Sequence, residues 1–177
     1  LQGKVALIAG AGCVGPGWGN GRAIATRFAE EGALVFAVGR DAERLRETLE
    51  KNSSLKKHIC DVTNGKAVKA MVEACLEQFG RLDILVNNVG GSAAGGPVEM
   101  AEAVFDAQLD HNLKSVFLTC KHVLPIMERQ KSGAIVNLAS TSGLRWTGSA
   151  QIGYATSKAA VIQFSRVVAV QYAGKGI

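Results

Sequence analysis

The sequence predicts an α/β protein built as a three-layer, doubly wound parallel sheet with helices on both faces. Short apolar runs alternate with segments of helical periodicity five times along the chain, as in a parallel sheet joined by crossover helices. Glycines close the first run, and 177 residues that are 47% hydrophobic are enough for one core. We therefore expect a single domain over residues 1–177 with strands in the order 3-2-1-4-5.

The first elements follow from apolar spacing. Residues 4–9 are a short apolar run, which is typical of a strand buried on both faces. Residues 21–31 carry apolar side chains three and four positions apart and predict a helix. Gly32 ends this helix because glycine tolerates a positive φ, and residues 34–38 predict the second strand.

The middle of the chain continues the alternation. Asp41 can cap a polar helix that extends to about Lys51. Residues 58–61 end a third strand, and residues 64–79 predict a third helix closed by Gly80.

The second half of the chain repeats the same pattern with longer helices. Residues 83–87 and 134–138 predict the fourth and fifth strands. Residues 103–129 predict a long helix that bends near Asn112, and residues 153–173 predict a final, mostly apolar helix.

Composition excludes several classes of function. The 20 basic and 15 acidic residues are interspersed, so the net charge of +5 indicates a mildly basic surface with no nucleic-acid groove. No apolar run reaches the roughly 18 residues of a membrane span, and the first residues lack the charged-then-apolar pattern of a signal peptide, so we expect neither feature. The 4 cysteines and 3 histidines form no ligand pattern, which indicates reduced thiols in the cytoplasm and no metal site.

The turn after the first strand is rich in glycine. Gly10, Gly12 and Gly15 fit the spacing Gly-x-Gly-x-x-Gly, and a helix beginning near Arg22 follows. Glycines allow close backbone approach, and a helix N-terminus offers free N–H groups, so the turn suits a pyrophosphate. The alternative is a flexible surface loop.

The end of the second strand bears on which dinucleotide binds. An acid here would hydrogen-bond a ribose hydroxyl, whereas an arginine accommodates a 2′-phosphate. The chain has Gly39, Arg40 and Asp41, which favours NADP. Asp41 is either a helix cap or a ribose ligand that would support NAD instead.

The last helix carries an acid–base pattern. Tyr154 and Lys158 stand at i and i+4 and therefore on one helix face. A free phenol has a pKa of about 10, and a neighbouring cation favours its ionised form. A hydroxyl from the cluster Ser140, Thr141 and Ser142 could donate to a carbonyl oxygen that gains charge. Taken alone, the tyrosine–lysine pattern is also that of a surface pair.

Together these features resemble the short-chain dehydrogenase/reductase family of the Tyr-x-x-x-Lys type, which has a Rossmann-type fold and includes 3-oxoacyl-acyl-carrier-protein reductases and related NAD(P)-dependent alcohol dehydrogenases. The resemblance covers essentially the whole chain. Besides the first strand and the glycine turn, the matching segments are Asp61-Val62, Asn87-Asn-Val-Gly90, His111-Asn-Leu113, Val136-Asn-Leu-Ala-Ser140, and Tyr154 with Lys158.

The resemblance implies four catalytic side chains. Tyr154 would be the general acid in reduction and the base in oxidation, and Lys158 would favour the phenolate and hold the nicotinamide ribose. Ser140 would polarise the substrate carbonyl, although counting back from Tyr154 favours Thr141. Asn112 would hold a water in a proton relay; its alternative is a helix-bend residue that bonds its own backbone.

The resemblance also implies a set of cofactor contacts. These are Gly10, Gly12, Gly19, Asn20, Gly21, Arg40, Asp61, Val62, Asn88, Gly90, Tyr154 and Lys158. The family's glycine spacing is stretched here by an insertion, so either Gly15 and Gly17 or Gly19 and Gly21 meet the pyrophosphate. We favour the second pair because it adjoins the helix N-terminus. Trp18, within the insertion, could cover part of the cofactor.

The expected function is hydride transfer between NADP(H), or alternatively NAD(H), and a small-molecule ketone or secondary alcohol. The alternative is a catalytically silent dinucleotide-binding module or a regulatory subunit. The last helix is apolar nearly all round, and in the family it commonly forms a dimer face, so we expect a homodimer or homotetramer. Because a dinucleotide fold expects a sixth strand, we also expect the dinucleotide-binding and catalytic domain to be C-terminally incomplete.

Overall fold

The computed structural model describes residues 1–13, 15, 17–49 and 55–177. Its strands are β1 (Val5–Ala9), β2 (Leu34–Gly39), β3 (Leu55–Ile59), β4 (Ile84–Asn87) and β5 (Ala134–Asn137). All the strand pairs are parallel, and the order is β3-β2-β1-β4-β5. The predicted doubly wound sheet is therefore confirmed.

Helices connect the strands. They are α1 (Asn20–Glu30), α2 (Ala42–Leu49), α3 (Gly65–Phe79), α4 (Glu102–Leu109), α5 (Ser115–Gln130) and α6 (Ile152–Tyr172). One turn of π-helix, Asp110–Lys114, joins α4 to α5, and 3-10 turns occupy Thr141–Gly143 and Ala173–Lys175. The predicted end of the second helix, residues 50 and 51, lies outside the described residues. In the described part of the chain, no helix combines the length and the apolar character needed to cross a membrane.

Alternation along β1 divides the core between the two faces of the sheet. Leu7 packs in a cluster with apolar side chains of α3 and α5, whereas Ile8 packs in a second cluster with those of α1 and α2. Successive strand residues point to opposite faces, so a strand covered on both sides must be apolar throughout, as residues 4–9 nearly are.

Local signals in the sequence set several helix ends. Asn64 caps α3 by accepting hydrogen bonds from the N–H groups of Lys66 and Ala67, and Gly80 ends it at φ 72°. Asp41 caps α2, because its Oδ1 accepts from the N–H of Glu43 at 3.0 Å and of Arg44 at 3.1 Å.

The predicted end of the third strand was wrong. β3 stops at Ile59 rather than at Asp61. The Asp61 side chain accepts hydrogen bonds from the backbone N–H of Thr63 at 3.0 Å and from its hydroxyl at 2.8 Å, so the chain already turns there. β3 also includes Lys56 and Lys57, which do not fit an apolar pattern. Both lysines remain exposed because β3 lies at the edge of the sheet.

Candidate active site

A cavity of about 400 Å³ opens at the carboxyl ends of β1, β2 and β4, where the winding of the sheet reverses. All the predicted cofactor contacts line it: Gly10, Gly12, Gly19, Asn20, Gly21, Arg40, Asp61, Val62, Asn88, Gly90, Tyr154 and Lys158. Gly15, Gly17 and Trp18 are not among its lining residues. Of the two glycine pairs considered, the structure thus brings Gly19 and Gly21 to the cavity.

The glycine turn is packed too tightly for side chains. A Cβ on Gly21 would lie 1.7 Å from the carbonyl oxygen of Gly10, and Gly10 itself has φ +83°. The Asn88 side chain donates a hydrogen bond of 2.8 Å to that same oxygen, which joins the turn after β1 to the segment after β4. Gly19 is the N-cap of α1, and no side chain caps the helix there. The cavity therefore meets a bare helix N-terminus, whose partial positive charge favours anions.

Charged side chains line the cavity beyond β2. Arg40 and Arg44 both reach it, and Nε of Arg44 lies 3.2 Å from Oδ2 of Asp41. Asp41 is therefore engaged with the N-terminal turn of α2, as the cap interpretation predicts. Asp61 lines the same cavity, and the hydrogen bond from the Thr63 N–H lowers its pKa below the usual value.

Tyr154 and Lys158 line the cavity from the first turns of α6. Lys158 is buried, and its Nζ donates a hydrogen bond of 2.7 Å to the carbonyl oxygen of Leu138, just after β5. Nζ lies 5.8 Å from the centre of the Tyr154 ring. Burial lowers the pKa of Lys158, because desolvation disfavours its charged form.

Asn112 lies in the π-helical turn and is fully buried. Its Nδ2 donates to the carbonyl oxygens of Gly91 and Gln108, each at 3.0 Å, and its Oδ1 accepts from the Gly91 N–H at 2.9 Å. The side chain thus bonds its own helix and also holds the segment after β4. A Cβ on Gly90 would lie 3.0 Å from Asn112 Oδ1 and 3.1 Å from Lys158 Nζ, so this glycine lets both side chains approach.

Ser140 lies at the entrance to the 3-10 turn after β5. Its Oγ accepts a hydrogen bond of 3.2 Å from the Ser142 N–H, and neither Ser140 nor Thr141 is among the residues lining the cavity. The structure therefore brings Tyr154 and Lys158 together with the cofactor candidates, and it leaves Ser140 one residue beyond Ala139, which does line the cavity.

A second cavity, of about 360 Å³, adjoins the start of α6. Its mostly apolar walls include Pro97, Trp146 and Ile152, together with Gln151 and Ala155. A parallel bridge between Gly95 and Gln151 fixes the β4–α4 segment against the N-terminus of α6 and so shapes this cavity. Sequence reasoning missed it, although a tryptophan in a loop otherwise rich in glycine and serine was a signal.

Sequence reasoning also missed several residues that line the first cavity, among them Cys13, Arg44 and His111. His111 stands directly before Asn112, so its position next to a candidate site residue was the available signal. Arg44 stands four residues after Arg40, and this closeness in sequence was the signal for that side chain.

The family model of the short chain dehydrogenases matches residues 4–177 of the chain. The chain belongs to this family.

Several relatives show what this short-chain dehydrogenase is similar to. It is 38% identical to the (2S)-[(R)-hydroxy(phenyl)methyl]succinyl-CoA dehydrogenase subunit BbsD of Thauera aromatica, with 100% of the chain and 70% of that protein covered. It is 36% identical to the 3-oxoacyl-[acyl-carrier-protein] reductase FabG of Thermotoga maritima, with 100% and 71% covered. A Burkholderia xenovorans structure assigned to the short-chain dehydrogenase/reductases is 58% identical, with TM-score 0.97 over 99% of the chain and 71% of that structure.

These matches make the protein an NAD(P)-dependent short-chain dehydrogenase/reductase, an oxidoreductase of small molecules. The first cavity fits a dinucleotide on structural grounds as well. Its glycine turn leaves a space that a Cβ on Gly21 would fill. The N-terminus of α1, which no described side chain caps, favours negative charge. The Lys158 ammonium, which lines the same cavity, can donate to ribose oxygens.

Proposed function

We propose that this enzyme transfers a hydride between NADP(H) and a ketone or secondary alcohol, with Tyr154 as the group that gives or takes the proton. The observation that carries the proposal is that Tyr154 and Lys158 line the same cavity as the glycine turn and the α1 N-terminus. When bound, the nicotinamide supplies the hydride. The chain's own residues must then bind, orient and move the proton.

Tyr154 donates its phenolic proton to the carbonyl oxygen in reduction and accepts a proton from the hydroxyl in oxidation. The Lys158 ammonium stabilises the resulting phenolate, since an opposite charge nearby favours the ionised form. The hydrogen bond to the Leu138 carbonyl orients Nζ for this role. The cost of burying the ammonium is partly offset by that bond.

Ser140 and Asn112 complete the proposed set. The Ser140 hydroxyl donates to the substrate carbonyl oxygen and stabilises its developing charge. Asn112 holds a water that passes protons to Lys158. This role is supported by the close approach of both side chains to Gly90 and by Oδ1, which accepts one bond from Gly91 and has a second acceptor position.

We favour NADP as the cofactor. Arg40 and Arg44 line the cavity, and the carboxylate of Asp41 is already occupied by the α2 N–H groups and by Arg44. An arginine can bind a phosphate through two parallel hydrogen bonds. Asp41, the acid that directly follows Arg40, is therefore engaged within α2, which favours a 2′-phosphate at Arg40 over a ribose hydroxyl at Asp41.

The substituents of the ketone are proposed to occupy the second, mostly apolar cavity, which lies against Ala155, the neighbour of Tyr154. The names of the relatives support a secondary alcohol or ketone as the reacting group, since they specify a hydroxyacyl-CoA dehydrogenase, a hydroxypropyl-CoM dehydrogenase and a 3-oxoacyl reductase. The four free cysteines support a cytoplasmic location.

Replacing Tyr154 with Phe tests the proposal. We expect Tyr154→Phe to reduce the turnover of ketones with NADPH by at least about 100-fold, the usual worth of a positioned acid–base group, while NADPH still binds. Tyr172→Phe is a matched control, because Tyr172 lies on the same helix with Lys175 Nζ 4.8 Å from its ring centre, yet lines neither cavity. Unchanged turnover in Tyr154→Phe would show that another group moves the proton.

A further inference from the structure

His111 occupies an unusual position in the first cavity. It precedes Asn112 in the π-helical turn, is half-buried, and lines the cavity together with Arg40, Asp61 and Lys158. A Cβ on Gly91 would lie 3.8 Å from the imidazole Cδ2 and 3.9 Å from Nε2, so the ring lies against that glycine.

The imidazole makes no hydrogen bond to any of the described residues, although the His111 carbonyl oxygen accepts one of 2.7 Å from Ser115. The ring nitrogens are not enclosed, since the buried atoms without a partner among the described residues are on Arg22 and Thr26, and polar atoms that open onto a cavity are free to bond water or a ligand. An imidazole that faces a cavity unpaired is therefore a candidate ligand contact.

The charges around His111 come from three other elements. Arg40 follows β2, Asp61 follows β3, and Lys158 is on α6. On its own turn, Lys114 Nζ and Asp110 Oδ1 pair with each other at 3.0 Å on the exposed surface. Burial, followed by Arg40 and Lys158, lowers the pKa of His111 against the opposing effect of Asp61, so the ring is neutral at pH 7.

The charge balance of the cavity changes when a dinucleotide enters. The charged side chains that line it are three cations and two carboxylates: Arg40, Arg44, Lys158, Asp41 and Asp61. Their net charge of one positive is smaller than the two negative charges of a pyrophosphate. Of the lining groups, His111 has the ordinary pKa closest to neutrality, so it is the group that most readily takes up a proton.

We propose that His111 is a further cofactor-binding residue, which takes up a proton and donates a hydrogen bond when an anionic dinucleotide binds in the first cavity. This inference rests on the proposed function, because it needs the dinucleotide in that cavity. Protonation is favoured more in the complex than in the free enzyme, so the affinity is highest at low pH and falls as the pH rises past neutrality.

The dissociation constant of NADH, followed by its fluorescence between pH 6 and pH 9, tests this proposal. NADH is the better probe because the 2′-phosphate of NADPH has its own pKa of about 6. We expect the dissociation constant to rise severalfold over this range, because a shift of one pKa unit in His111 on binding sets an upper limit of about tenfold. Calorimetry in two buffers of different ionisation enthalpy should show proton uptake on binding near neutral pH.

The variants His111→Gln and His111→Asn should bind NADH with a flat pH dependence and without proton uptake. His122→Gln is the matched control, because His122 is on α5 and outside the cavity, and it should behave as the unmodified protein. Equal pH slopes in His111→Gln, His111→Asn and the unmodified enzyme would overturn this inference alone. Failure of both NADH and NADPH to bind at any pH would overturn the proposed function as well.

Discussion

At the scale of the residue, Asp83 joins three strands at the end of the sheet opposite the cavity. Its Oδ2 accepts hydrogen bonds from the Val5 N–H at 2.9 Å and from Arg81 Nε at 2.8 Å, and Lys4 Nζ lies 3.6 Å from Oδ1. Its backbone bonds Val5 and Ala134 at 2.9 Å each. Burial alone would raise the pKa of Asp83, but these hydrogen bonds and cations outweigh burial and lower it.

We expect Asp83→Asn to destabilise the protein by about 1.5–3 kcal/mol, the usual range for a hydrogen bond to a charged group. Because the folded pKa is lowered, the carboxylate stabilises the fold above its unfolded pKa of about 3.9, and this contribution is lost as the pH falls through the folded value. Urea unfolding should therefore show that the free energy of unfolding falls less between pH 7 and pH 3–4 in the variant than in the unmodified protein. Glu31→Gln, which removes an exposed ion pair with Arg27, should cost at most about 1 kcal/mol.

Arg40 is the residue on which the proposed preference for NADP depends. We expect Arg40→Ala to weaken NADPH binding by roughly tenfold to a hundredfold, since a charged hydrogen bond is worth about 1.5–3 kcal/mol, and to change NADH binding little. Arg46→Ala controls for loss of a cation from the same region, because Arg46 pairs with Glu43 and lies outside the cavity lining. Equal losses for NADPH and NADH would refute the preference.

Single residues also show which parts of the site the sequence could predict. Tyr154 and Lys158 were predictable because their spacing along one helix already sets their relation in space. Arg44 and His111 stand close in sequence to Arg40 and Asn112, but they were missed because the packing of β2, β3 and the π-helical turn decides which side chains reach the cavity.

At the scale of the element, the contact between the turn after β1 and the start of α1 sets the shape of the cavity. Gly21 has no room for a side chain next to the Gly10 carbonyl and Asn88, whereas no described atom lies within 4 Å of a Cβ on Gly15. Gly15, in the turn, and Gly21, in the first turn of α1, therefore meet opposite constraints.

We expect Gly21→Ala to cost about 1–3 kcal/mol or more of folding free energy, as overpacking does, and to abolish measurable NADPH binding. Gly15→Ala should remain within about 0.5 kcal/mol of the unmodified protein, as surface changes usually do. Urea unfolding and NADPH titration measure both effects. Normal NADPH affinity in Gly21→Ala would show that α1 can move away from the turn at little cost.

The bounds and local geometry of the elements were harder to predict from the sequence than their order. The predicted bend near Asn112 corresponds to the π-helical turn, but the widening itself depends on bonds from Asn112 to Gly91, distant in sequence. The end of β3 was misplaced because Leu55 is the one fully buried residue of this edge strand, so its exposed lysines weaken the apolar pattern by which a strand is recognised.

At the scale of the whole molecule, strand order was predictable because alternation and short connections leave few topologies open. The sequence did not predict what covers the outer surface of the molecule. β5 is an edge strand with Val136 exposed, and α6 leaves Val167 and Val170 exposed at its C-terminal end. Apolar side chains exposed close together commonly mark a surface that binds another protein.

We propose that α6 packs against a second copy of the chain. Light scattering after size exclusion should then give twice, or for a tetramer four times, the chain mass of 18.5 kDa.

Val170 tests whether α6 forms this contact. Its side chain is 82% exposed in the single chain and should be buried between the two copies. Val170→Glu should therefore shift the protein to the monomer, because burying a carboxylate there would remove its hydration. Val98→Glu changes a side chain that is 88% exposed on the segment before α4 and should leave the mass unchanged. A monomeric mass for the unmodified protein at all concentrations would contradict the proposal, and an unchanged oligomer in Val170→Glu would move the contact away from α6.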